Sequence, residues 1–136
     1  ALDTEEIERL RGEVSRAKSL VYITDNAGEI VLDKLFIEAM KGLHPGLKVT
    51  VLVRGFPTLN DATKEDAAFI GMPEIAEVLT NGIKIPGTPL DRISKEALDR
   101  IKGLIFVLPK VRGTSRHCGD AEKIFIICSC ASVHCS

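Results

Sequence analysis

Apolar and polar positions alternate along this chain with two different periods. Ile7, Leu10, Val14 and Ala17 recur at helical spacing. They predict an amphipathic helix that opens where Asp3 and Glu6 stand at capping-box separation and ends near Lys18. Residues 20–23, LVYI, read as a short buried strand. From residue 29 to residue 41 the helical rhythm returns. Ile30, Val31, Leu35, Ala39 and Met40, with Leu32 and Phe36 beside them, make a wide apolar face. Leu43-His44-Pro45-Gly46 breaks that helix, and the β-branched run KVTVLV at 48–53 is a second strand. RGFPTLND is then a loop, ATKEDAAFIGM a short helix, and residues 77–80 a weaker third strand closed by Asn81-Gly82. After the loop 86–93, Ser94 caps a helix to about Lys102, and residues 104–107, LIFV, are a fourth strand.

Strands alternating with helices of this length predict βαβ units around a parallel sheet. Right-handed crossovers put the loops that follow the strands on one edge, where α/β sheets bind ligands. The 136 residues suffice for one domain with a real core. A net charge of −1 gives no nucleic-acid footprint. With no apolar run of spanning length and no signal-peptide pattern, the expectation is a soluble, cytoplasmic protein without a membrane or nucleic-acid partner.

Two loops of the ligand edge carry unusual chemistry. TDNAGE follows the first strand and RGFPTLND the second, which brings Asp25, Asn26, Asn60 and Asp61 to one rim. Carboxylate and amide oxygens are hard ligands that suit Mg²⁺ or Mn²⁺ and can also hold Co²⁺ or Ni²⁺. The helix opening at Gly28-Glu29 aims backbone N–H groups at the same place, which favours phosphate, and Arg54 adds a positive charge. A metal beside a phosphate fits phosphoryl hydrolysis, with Asp61 or Glu29 orienting the water. Spacing alone accommodates a plainer reading, in which Asp25 or Asn26 caps the following helix and Asp61 caps the helix after residue 61. Asp33, Lys34, Glu65 and Asp66 read as solvated helix residues, and Tyr22 as strand packing. No Walker A or G-x-G-x-x-G sequence is present, which disfavours a nucleotide-binding module.

YITDNAGEIVLDKLFIEAM followed by VTVLVRGFPTLNDATKEDA resembles the damage-control phosphatase family, formerly catalogued as a domain of unknown function. The resemblance runs from about residue 5 to residue 107 and includes PGTPLDRIS. The D-N-A-G-E form is closer to the branch of archaeal, bacterial and plant members than to the branch acting on fructose phosphates. The resemblance implies a three-layer, Rossmann-like α/β domain with a mostly parallel sheet, incomplete here relative to the family. It implies a metal-dependent phosphatase acting on small phosphorylated metabolites, such as sugar phosphates or phosphopantetheine derivatives. Asp25, Asn26 and Asp61 match the family's metal-binding positions; Gly28, Glu29, Arg54 and Asn60 would surround the phosphate. A non-catalytic remnant that binds a metal or a partner is the competing reading.

Residues 1–107 thus read as a partial phosphatase domain and 108–136 as an aberrant tail. The family continues after the fourth strand with a stretch like K-G-Q-G-N-F-E, whose lysine contacts phosphate; this chain reads LPKVRGTSRHCGDAEKIFIICSCASVHCS. All four cysteines lie there, with His117 and His134. The spacing of His117, Cys118, Cys128, Cys130, His134 and Cys135 is a poor match to a zinc site. Codons permitted for the tail include a set that, displaced by two bases, spells AKGQGNFETLWGCGKNIYYLFMCKCPLF. The displaced frame restores the missing motif, so the tail is expected to be a frameshift product without evolved structure. Its apolar IFIIC is free to form a strand or a helix.

Overall fold

The computed structural model describes residues 4–84, 91–101, 105–107 and 123–127, the last two stretches as backbone strands. The Asp3–Glu6 capping pair, segment 85–90 and the cysteines and histidines of the tail lie outside the described residues.

Helix α1 (Thr4–Arg16) leads into β1 (Ser19–Ile23), α2 (Ile30–Leu43) and β2 (Lys48–Val53). Then follow α3 (Lys64–Phe69), a 3-10 turn (Met72–Glu74), β3 (Glu77–Thr80), α4 (Lys95–Ile101), β4 (Ile105–Val107) and β5 (Lys123–Ile127). The five strands form one sheet in the order β3-β2-β1-β5-β4, and every pairing is parallel. The chain winds outward from β1 through β2 to β3, then crosses to the far edge for β4. The expected α/β architecture is present, with one strand more than the pattern of residues 1–107 predicts. That strand is β5, from the tail, seated between β1 and β4 with Ser19 opposite Lys123 and Ile23 opposite Ile127. An apolar run needs only a free ladder on either side to be held as a strand, and the gap beside β1 offers one.

The period-2 alternation of β1 and β2 divides the core. Leu20, Tyr22, Val49, Val51 and Val53 face α1, α2 and α3, where they meet Val14, Ile30, Ile37, Met40, Ala67 and Met72. Val21, Ile23 and Leu52 face the opposite way and meet Ile93, Ala97 and Ile101 at α4. Helices therefore cover both faces. Each fully buried aliphatic side chain, such as Leu20, Ile37 or Leu52, contributes roughly 1.5–3 kcal/mol.

The buried stripe of α2 differs from the expected one. It is Ile30, Asp33, Ile37 and Met40, whereas Val31, Leu32, Leu35, Phe36 and Leu43 are exposed. The helix is apolar on nearly every side, so composition could not locate the seam. Asp33 is admitted to it because Tyr22 Oη donates to Asp33 Oδ1 at 2.5 Å inside the core. Its predicted solvated role is corrected: Asp33 is buried. Tyr22 is strand packing as expected, with this hydrogen bond in addition.

Candidate functional site

β1 does not stop cleanly at Ile23. Thr24 prolongs it, with its backbone N–H and its Oγ1 both donating to the Leu52 carbonyl at 3.1 Å. The chain then leaves the sheet with Asp25 still buried. After β2, the second loop folds back and meets the first. Ala27 N–H donates to the Asn60 carbonyl at 2.8 Å, and Ala62 N–H to the Asp25 carbonyl at 2.7 Å. These two bonds flank an isolated antiparallel bridge between Asn26 and Asp61. In such a pair the two facing residues exchange no backbone bond themselves. They sit at the closer of the two antiparallel spacings, with their side chains on one side. The loops that sequence placed on one rim are therefore laced together at Asn26 and Asp61.

The capping roles considered for Asn26 and Asp61 are not the ones observed. The N-cap of α2 is Glu29, with no side-chain capping hydrogen bond. It is the backbone carbonyl of Asn26 that accepts from the N–H groups of Glu29 and Ile30, at 3.1 and 3.2 Å. The Asn26 amide is thus not used as a cap. Those two N–H groups are spent on Asn26, which narrows the anion cradle expected at Gly28-Glu29. Helix α3 is capped by Thr63 rather than Asp61. Thr63 Oγ1 accepts from Asp66 N–H, and the Asp66 carboxylate accepts from Thr63 N–H at 2.9 Å, a complete capping box. This also corrects the solvated role predicted for Asp66.

Asp61 has a different partner. Arg54 Nε donates to Asp61 Oδ2 at 2.5 Å, with only 8% and 13% of the two side chains exposed. Arg54 N–H donates to the Ala62 carbonyl at 2.9 Å, so the pair is fixed through backbone as well. Around this centre, Gly28 and Asn60 are exposed and Glu29 is half-buried. A Cβ added at Gly28 would meet nothing within 4 Å, so the first loop is open there.

One further residue organises the rim, and no motif announces it. Asn81 is buried at the end of β3. Its Oδ1 accepts from Gly55 N–H at 3.0 Å and from Ile83 N–H at 3.3 Å, and its carbonyl accepts from Ser94 N–H. It thereby ties the root of the second loop to the start of α4. Gly55 must be glycine for this approach, since a Cβ there would come within 2.9 Å of the Gly82 backbone. Asn-Gly in sequence announced only a turn.

Among the described residues no three His, Cys, Asp or Glu side chains converge on one point. The oxygen donors that the two loops carry include the carboxylates of Asp25 and Asp61 and the amide of Asn26. This is an all-oxygen set of the kind hard divalent cations take, and the Asn26–Asp61 bridge holds two of its members side by side, so the residues present fit such an ion. No helix among the described residues is long and apolar enough to cross a membrane.

Comparison with known proteins agrees with this architecture. The chain is 30% identical over 118 residues to a damage-control phosphatase of Pyrococcus horikoshii, covering 85% of this chain and 41% of that protein. It is 38% identical over 109 residues to a damage-control phosphatase of Archaeoglobus fulgidus, covering 79% and 35%. An uncharacterised protein of Methanocaldococcus jannaschii is 38% identical over 96 residues, covering 71% and 31%. The crystal structure of a DUF89 family protein from Pyrococcus horikoshii superposes with a TM-score of 0.70 at 28% identity, over 88% of this chain and 43% of that one. The chain thus spans less than half the length of the curated relatives it matches. The family model of the damage-control phosphatase ARMT1-like domain matches residues 1–110, and the chain belongs to that family.

Proposed function

We propose that this domain is the metal-binding part of a phosphatase that hydrolyses phosphate monoesters of small, damaged metabolites, sugar phosphates or phosphopantetheine derivatives among them. The observation that carries the reading is the Asn26–Asp61 bridge, which pairs an amide and a carboxylate at the ligand edge of a parallel sheet. Asp25, Asn26 and Asp61 would hold Mn²⁺, Co²⁺, Ni²⁺ or Mg²⁺. A divalent ion supplies Lewis acidity toward a phosphoryl oxygen and lowers the pKa of water. The chain's own groups do the rest. Gly28 leaves room for the substrate, Asn60 offers an exposed amide, Arg54 contributes positive charge, and Asp61 or Glu29 orients the attacking water.

The chain as written lacks the lysine of K-G-Q-G-N-F-E, the stretch that the displaced frame of residues 108–136 would restore. Removing one preorganised charge from a transferring phosphoryl group costs orders of magnitude in rate. The expectation is a protein that binds metal and turns over poorly. A version whose residues from 108 onward follow the displaced frame should release phosphate from a sugar-phosphate panel about 100-fold faster or more in the presence of Mn²⁺. Metal-independent phosphate release that survives Asp25→Ala would contradict the site assignment. The second reading, a non-catalytic remnant, draws on β5: the sheet is filled by the tail while the catalytic stretch is missing. Metal binding by both versions with phosphate release by neither would favour it.

A further inference from the structure

We infer that Arg54 is the positioning residue of the candidate metal site, and that it acts through Asp61 rather than by touching substrate phosphate. The inference rests on the proposed function and deepens it.

Arg54 and Asp61 are seven residues apart, yet their side chains meet at 2.5 Å with little of either exposed. One backbone pairing holds the two stretches together here. Arg54 N–H bonds the Ala62 carbonyl, and Arg54 forms an isolated parallel bridge with Thr63. On its other side Asp61 is bridged to Asn26, and its own N–H is taken by the Thr58 carbonyl at 3.0 Å. The backbone of Asp61 is therefore fixed from both directions, which leaves its freedom in χ1 and in the terminal carboxylate torsion. That torsion is intrinsically broad. An Nε–H held on the plane of a guanidinium removes it: with Oδ2 occupied, the second oxygen is presented in one direction. Lysine cannot replace this function, because its ammonium is a rotatable point charge rather than a fixed fork.

Burial argues against a phosphate contact. A side chain that is 8% exposed presents little surface to an anion, whereas Gly28 and Asn60 on the same rim are exposed. Its charge still matters at a distance. The guanidinium offsets one of the carboxylates Asp25, Asp61 and Glu29, and a divalent cation would offset the other two, so an anionic phosphoryl group would meet no net negative charge.

The two roles separate by experiment. Mn²⁺ would be titrated into wild type, Arg54→Lys and Arg54→Met, following the thermal midpoint, and inorganic phosphate would then be titrated into each metal-saturated protein. The inference expects both variants to need about 10- to 100-fold more Mn²⁺ for half-maximal stabilisation, the loss typical of removing a partner that orients a metal ligand. Charge alone predicts the reverse for Arg54→Met, since deleting a cation should tighten Mn²⁺ binding, and no change for Arg54→Lys. Unchanged Mn²⁺ midpoints with weakened phosphate binding would overturn the inference and leave the metal site standing. No Mn²⁺ response in wild type would overturn both. Should Arg54→Met fail to fold, Arg54→Lys decides alone. The wild-type Nε–H resonance provides a check without a mutant in that position: it should be protected from exchange and lose that protection in Asp61→Asn, and an unprotected Nε–H would likewise overturn the inference.

Discussion

Asn26 and Asp61 face each other as a close antiparallel pair, held by the Ala27 N–H to Asn60 and Ala62 N–H to Asp25 hydrogen bonds that flank them. Backbone makes the pairing and side chains are its product. A side-chain change at Asn26 should therefore alter ligand binding more than the fold, whereas one at Asp61 would also leave the buried Arg54 without its carboxylate. Asn26→Ala should leave the metal-free thermal midpoint nearly unchanged, within about 0.5 kcal/mol. It should also remove most of the stabilisation that Mn²⁺ gives wild type, which at 100 times the dissociation constant amounts to about 2.7 kcal/mol. Differential scanning fluorimetry with and without Mn²⁺ reads both quantities. An unchanged Mn²⁺ shift would mean that the amide is not a ligand.

The Thr63–Asp66 box has the opposite signature. Thr63→Ala removes an N-cap oxygen and should cost about 1 kcal/mol, close to a 3–6 °C lower midpoint for a domain of this size. Its Mn²⁺ affinity should be that of wild type. A variant that kept its stability but lost metal binding would move Thr63 into the site.

Tyr22→Phe tests the buried Tyr22–Asp33 pair. Deleting the hydroxyl takes from Asp33 a donor held at 2.5 Å in the core, with an expected cost of about 1–3 kcal/mol by urea denaturation. The m-value should not change, because the same surface is exposed on unfolding. A neutral result would show that Asp33 gains nothing from Tyr22.

Asn81→Ala should act at both levels. It removes the acceptor for Gly55 and Ile83 N–H groups at a buried position, at an expected cost of about 1–3 kcal/mol. It also frees the root of the loop that carries Arg54 and Asp61. A raised Mn²⁺ midpoint, measured well below the thermal transition, is the expected companion. Loss of stability with unchanged Mn²⁺ binding would limit Asn81 to the fold.

Strands β1 to β4 and the helices between them were legible from the apolar periodicity of the sequence, and β2 and β3 coincide with the predicted spans. The meeting of TDNAGE and RGFPTLND was legible too, since parallel topology alone puts both loops at one edge. Three things were not. Asp33 looked solvated because its licence to be buried is a tyrosine hydroxyl eleven residues earlier. Arg54 read as a positive charge for the phosphate because the backbone bridge that accompanies its pairing with Asp61 has no sequence signature. The place of β5 depends on the slot between β1 and β4, which is a property of the assembled sheet and not of the run KIFII.

That slot has a consequence for how the chain reaches its native state. β5, the last strand in chain order among the described residues, sits inside the sheet, and among those residues β4 pairs with it alone. During synthesis β1, β2 and β3 can pair as soon as they emerge, whereas β4 must wait for β5. Until β5 arrives, β1 offers an unpaired flank that any extended segment can fill, including the β5 of a neighbouring molecule. Exchange of that strand between copies is the failure mode this topology invites, and insertion of the chain's own β5 is the event that prevents it.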